Sequence, residues 1–139
     1  QAGAPRLLAA GVTIPGILPG DGGRVALEGC PALVAATVTH GSWRSGVRSG
    51  RGDVRELERE RLVDALERGQ LTPGVRLRIA AADRAAVIAE DRGGRLAALL
   101  CLAQAEWARH QDNWGVPAQV DALEGWIVAA DLPALAVAP

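Results

Sequence analysis

The sequence predicts an α/β domain, and three observations carry that prediction. Short apolar runs of strand type alternate with stripes of helical spacing, in the order strand, helix, helix, strand, helix, helix, strand. Glycine and proline clusters separate most of these runs. At 139 residues the chain suits a single domain, and its 49% hydrophobic content is enough for a core.

Residues 1–23 read as an irregular lead-in rich in Ala, Gly and Pro, in which Pro5 opens a short helix through Ala10 and Gly11 closes it. Consecutive turns follow, from Ile14 to Gly16 and from Leu18 to Gly23. Arg24-Val25-Ala26-Leu27-Glu28 is an apolar run ending on a carboxylate and is assigned to a strand. Gly29 breaks it, and Pro31 suits the first turn of a helix over Ala32–Thr39. Residues 41–52 form a basic, glycine-rich loop. Asp53 then stands three residues before Glu56, the spacing of a capping box, and opens a helix over Val54–Arg68 that Gly69 ends. Its apolar stripe is Val54, Leu57, Leu62, Ala65 and Leu66. The pairs Glu56–Arg59 and Glu58–Arg61 read as a solvated face, each worth about 0.2–0.5 kcal/mol.

Thr72-Pro73-Gly74 is a turn, and Val75-Arg76-Leu77-Arg78-Ile79 alternates strictly, as a strand with one buried face does. Asp83 is placed to cap a helix over Arg84–Glu90. Gly93 and Gly94 interrupt it, and a longer helix covers Arg95–His110 with Leu96, Leu99, Leu100, Ala103 and Trp107 as its core stripe. Residues 111–119 form a loop, Gly125–Ala129 a last strand, and 132–139 a loosely ordered tail. Three strands leave long unpaired edges. The missing strands are therefore expected upstream of Gln1 or from a partner strand, with self-association as the consequence.

Composition narrows the function classes. Aromatics are four Trp, with no Phe or Tyr, so the core rests on Leu, Val, Ile and Ala and is thin, because alanine buries little area. Lys and Met are absent too, a pattern that reads as coding bias. Fifteen basic residues, all Arg, face sixteen acidic ones, so no global field steers the chain to nucleic acid or an anionic membrane. The longest apolar candidate for a membrane span, Leu7 to Leu18, is short and broken by Gly11, Pro15 and Gly16, so no membrane partner is expected. Cys30 and Cys101 lack CxxC spacing and read as buried free thiols, which suits a reducing, cytoplasmic compartment.

Chemistry-bearing residues are few. Glu28, at a strand end, stands where α/β sheets place functional groups, though a solvated strand-end glutamate has the same position. Glu90 and Asp91 could join Glu28 around a divalent cation. Neighbours on a helix point apart, however, and solvation of the helix end explains them equally well. His40 and His110 each close a helix and complement its dipole, and no His/Cys cluster of zinc spacing exists. The serines lie outside any GxSxG elbow, and no Walker loop is present. In the basic loop, Arg44, Arg48 and Arg51 could follow a phosphate backbone while Trp43 stacks on a base; an exposed connector kept soluble by Arg is the plain alternative.

Three stretches together resemble a known family: Val25 to Leu33, Leu99 to Ala108, and Asp121 to Ile127, with Glu124-Gly125-Trp126-Ile127 the most distinctive and Gly3 to Leu8 fitting the segment before the Glu strand. They resemble the C-terminal half of domain-of-unknown-function family four-twenty-nine, predicted nucleases of ribonuclease H-like fold. The resemblance implies a partial ribonuclease H-like domain over 1–139 that lacks its N-terminal strands. It also implies a carboxylate site for Mg²⁺ or Mn²⁺ in which Glu28 matches the strand Glu. The family's first-strand Asp would precede Gln1, its helix acid is Ala97 here, and its Tyr is Cys30. Magnesium is often held by one or two carboxylates plus substrate, which keeps metal binding at Glu28 open, with Glu90 and Asp91 as substitute ligands if the Gly93-Gly94 break swings them toward it. The expectation is a truncated or degenerate relative of a metal-dependent phosphodiester hydrolase. The alternative is a non-catalytic protein-interaction module using an open sheet edge, and a weak nucleic-acid binder using the Arg loop is a third.

Overall fold

The computed structural model describes residues 4–44, 52–121 and 123–133. In chain order the elements are α1 (Ala4–Ala9), β1 (Val12–Thr13), β2 (Asp21–Val25), α2 (Pro31–Ala35), α3 (Gly52–Arg68), α4 (Ala81–Ala89) and α5 (Gly94–Ala108), followed by a short 3-10 turn at Asp112–Gly115. The fold is thus mixed α and β, with β1 and β2 pairing in parallel. The sheet is smaller than expected. The strand at 24–28 begins earlier, at Asp21, and its regular pairing ends at Val25; beyond it Glu28 forms only an isolated parallel bridge with Ile127. The two other expected strands, at 75–79 and 125–129, have no regular ladder among the described residues.

The main core lies where α2, α3, α4 and α5 meet. From α3 it takes Leu62, Val63, Ala65 and Leu66; from α5, Leu96, Leu100 and Ala103; from α4, Val87 and Ile88; and from α2, Val34 and Ala35. Each fully buried leucine contributes about 1.5–3 kcal/mol, so this junction dominates the stability. The extended segment 75–79 lays Val75, Leu77 and Ile79 on the same core while Arg76 and Arg78 stay exposed, as the alternation predicts. A second, smaller cluster of Ala108, Val128 and Ala129, flanked by Leu27, Trp107 and Trp114, ties the end of α5 to the C-terminal segment.

Several local expectations are corrected. Val54 and Leu57 on α3 are exposed, whereas Glu58 and Arg59 are buried, so the charged run is not a uniformly solvated face. Glu58 takes the Thr39 hydroxyl and pairs with Arg61 at 3.0 Å; Arg59 crosses to the Ile88 and Trp43 carbonyls. Buried charges persist when each finds such partners. Helix α3 starts at Gly52, which puts Asp53 inside its first turn rather than at the cap. Asp83 likewise lies in the first turn of α4, and the cap position is Ala80, with no side-chain bond. Helix α2 stops at Ala35 and continues only as turns toward Thr39.

Candidate functional site

Helix α5 is apolar nearly all the way round: from Leu96 to Ala103 it has no polar side chain. A helix of that kind is expected to be covered on both sides. One face, Leu96, Leu100 and Ala103, is buried in the main core. The other, Ala98, Cys101, Leu102 and Ala105, has the i, i+3, i+4, i+7 spacing of a single stripe. It remains open, with Leu102 51% exposed.

Two grooves run along that open face. One, of about 410 Å³, is walled by Val25, Leu27, Glu28 and Gly29; the other, of about 390 Å³, by Leu77, Arg78, Ile79 and Ala80. Both include Ala98 and Leu102, so together they form one trough across α5 with an extended segment on each side.

Each of these extended segments has one main-chain edge that is unbonded among the described residues. Along an extended chain the hydrogen-bonding groups of alternate residues point to opposite edges. The Ala26 amide donates to the Thr13 carbonyl at 2.9 Å, and the Glu28 carbonyl accepts from the Val128 amide at 2.9 Å. Even-numbered residues therefore face β1 and Ile127, and Leu27 and Gly29 face away. On the opposite wall the Leu77 amide donates to the Leu66 carbonyl at 3.2 Å, so Arg76 and Arg78 point away from α3. Among the described residues, Leu27, Gly29, Arg76 and Arg78 make no main-chain hydrogen bond.

The first wall is fixed to α5 by Gln104, which is 1% exposed. Its Oε1 accepts from the Cys30 amide at 2.9 Å, and its Nε2 donates to the Val128 carbonyl at 2.7 Å. The approach is close at Gly29: a Cβ there would lie 3.1 Å from Gln104 Oε1 and 3.2 Å from Cys101 Sγ, so those side chains would have to give by a few tenths of an ångström. Cys101 is half-buried on the trough floor, and its thiol is pushed up by burial and by Cys30, with Arg44 acting the opposite way. Arg78 and Arg95 line the second groove together with Asp83.

The residues singled out in the sequence do not converge. Glu28 is exposed and borders both the trough and a small cavity of about 60 Å³, which Trp126 also lines; the Trp126 Nε1 is buried without a partner among the described residues. The Glu90 carboxylate accepts the Arg95 amide at 2.6 Å near the start of α5, and Asp91 lies 3.6 Å from Arg59. Among the described residues no group of three or more His, Cys, Asp or Glu is placed to hold a metal ion. Trp43 is not on an exposed loop: it is 7% exposed in the main core, with the Arg44 guanidinium 4.6 Å above its ring. Gly93 makes room for it, since a Cβ there would lie 2.9 Å from the indole. Arg48 and Arg51 lie outside the described residues. No described helix is long and apolar enough to cross a membrane.

The open face of α5 escaped the sequence reading because its stripe is hidden beside the core stripe. The sign that could have revealed it is the width of the apolar surface, too wide for a helix packed on one side. No family model, curated protein or solved structure matches the chain.

Proposed function

We propose that this chain is a non-catalytic protein-interaction module that takes an extended segment of a partner polypeptide into the α5 trough as an added β-strand. The observation that carries this reading is an apolar helix face left open between two extended segments, each with a main-chain edge unpaired among the described residues. An added strand would satisfy those edges with main-chain hydrogen bonds, each worth about 0.5–1.5 kcal/mol net. It would also cover Leu102 and Ala98 with alternate side chains. The resemblance to ribonuclease H-like nucleases belongs to the same reading, as the origin of a segment that keeps Glu28 and has Ala97 where the family has its helix acid. A cytoplasmic setting suits its two free thiols.

Cys101 provides the test, because it lines the trough. In the Cys30→Ser chain, iodoacetamide modifies Cys101, and a nine-residue peptide alternating Val and Thr should slow that modification in a saturable way. Protection should disappear in Leu102→Glu. A modification rate unchanged at millimolar peptide would overturn the reading.

A further inference from the structure

The charge at one wall says what kind of strand the trough accepts. Arg78 and Arg95 border the second groove, and Arg76 stands on the exposed face of the same wall. Arg76 donates to the Glu67 carbonyl, and among the described residues none of the three has an ion-pair partner. Six other arginines, Arg24, Arg59, Arg61, Arg68, Arg84 and Arg109, lie within ion-pair distance of a carboxylate, and Arg6, Arg44 and Arg92, which do not among the described residues, stand away from this groove. Asp83 is the one acid lining this groove and Glu28 lines the other, so the excess of positive charge is confined to the 75–79 side of the trough.

Resting on the strand-accepting reading above, we infer that the occupant is an acidic strand of another protein, with apolar residues directed at α5 alternating with Asp or Glu directed outward. Side chains on adjacent strands pair across the ladder, and those beside the 75–79 wall on its exposed face meet Arg76 and Arg78. Opposite charges there attract and like charges repel. The same rule disfavours a second copy of this chain entering by its own 75–79 segment, because Arg would then face Arg.

The test compares fluorescein-labelled nonapeptides on the full chain by anisotropy at low salt: Val alternating with Glu, with Thr, and with Lys. An N-methylated Val/Glu peptide and a single-stranded oligonucleotide of equal charge complete the set. The Val/Glu peptide should bind about tenfold more tightly than Val/Thr, the effect of two favourable cross-strand pairs, and Val/Lys more weakly than both. The preference should shrink in Arg76→Gln/Arg78→Gln, which alters two exposed side chains and leaves the main chain intact. In Arg78→Glu it should turn toward Val/Lys. Equal binding of Val/Glu and Val/Thr would overturn the acidic preference and leave strand acceptance standing. Binding of the N-methylated peptide as tightly as its parent, or no binding by any peptide, would overturn both. Oligonucleotide binding stronger than Val/Glu, lost in the same double variant, would show that the rim serves a nucleic acid and overturn the inference.

Discussion

Replacing Gln104 with leucine tests how the first wall is held to α5. The side chain makes two hydrogen bonds, from the Cys30 amide at 2.9 Å and to the Val128 carbonyl at 2.7 Å, at a position only 1% exposed. Leucine has similar volume, so the cavity penalty is small, but it leaves one buried donor and one buried acceptor without partners. Each orphaned group costs about 1–3 kcal/mol, which places the total at about 2–6 kcal/mol. For a chain of this length that corresponds to a fall in Tm of roughly 5–20 °C. Urea unfolding followed by circular dichroism measures it directly. Gln104→Glu sharpens the test: its carboxylate still accepts from Cys30 but cannot donate to Val128 when ionised. The repulsion raises the folded-state pKa of the new group. Its stability relative to the leucine variant is therefore present below the unfolded value of about 4.3 and is lost as pH rises through the higher folded value. If Gln104→Leu unfolds within about 0.5 kcal/mol of the parent, well below the cost of two orphaned groups, the bracket has no energetic role and the argument fails.

Other expectations concern charge and catalysis. The Arg109 guanidinium, with His110, lowers the Glu106 carboxyl to about 2. The pair's contribution is present above the ordinary carboxylate pKa and is lost as pH falls through about 2; in Arg109→Gln, NMR titration should show Glu106 returning toward the ordinary range. With Mg²⁺ or Mn²⁺ the chain should show no appreciable cleavage of single- or double-stranded DNA or RNA, and Ala97→Asp should restore at most a part. Robust cleavage by the parent chain that Glu28→Gln eliminates would contradict this. Weak nucleic-acid affinity, where measured, should fall steeply with salt and vanish when Arg44, Arg48 and Arg51 are replaced by Ala; binding unchanged by that replacement would refute the assignment to this loop.

The helices were legible in the sequence and the sheet was not, for a physical reason. The stripes of α3 and α5 are local, set by residues three and four apart, so Leu62, Leu66, Leu96 and Leu100 could be assigned to the core from spacing alone. A strand needs a partner. The alternation of 75–79 correctly orders its buried and exposed side chains, yet it cannot say whether a ladder forms. Burial of charge was invisible because it depends on distant groups: Arg59 is held by the carbonyl of Ile88, 29 residues away. Trp43 looked like a loop residue because its neighbours are Gly, Ser and Arg, and only the packing of Gly93 against it shows that it belongs to the core. For the candidate site, Glu28 was legible as the end of an apolar run. The trough beside it depends on which face of α5 the core leaves uncovered.

Strand acceptance is tested most directly by amide hydrogen exchange, resolved by residue, in the presence and absence of an alternating Val/Glu peptide. The amides of Leu27, Gly29, Arg76 and Arg78 have no main-chain acceptor among the described residues. A strand in the trough should slow exchange at the amides of whichever wall it pairs with, and should leave Ala26 and Leu77, already bonded, nearly unchanged. Binding without slowing at any of those four amides would contradict the account.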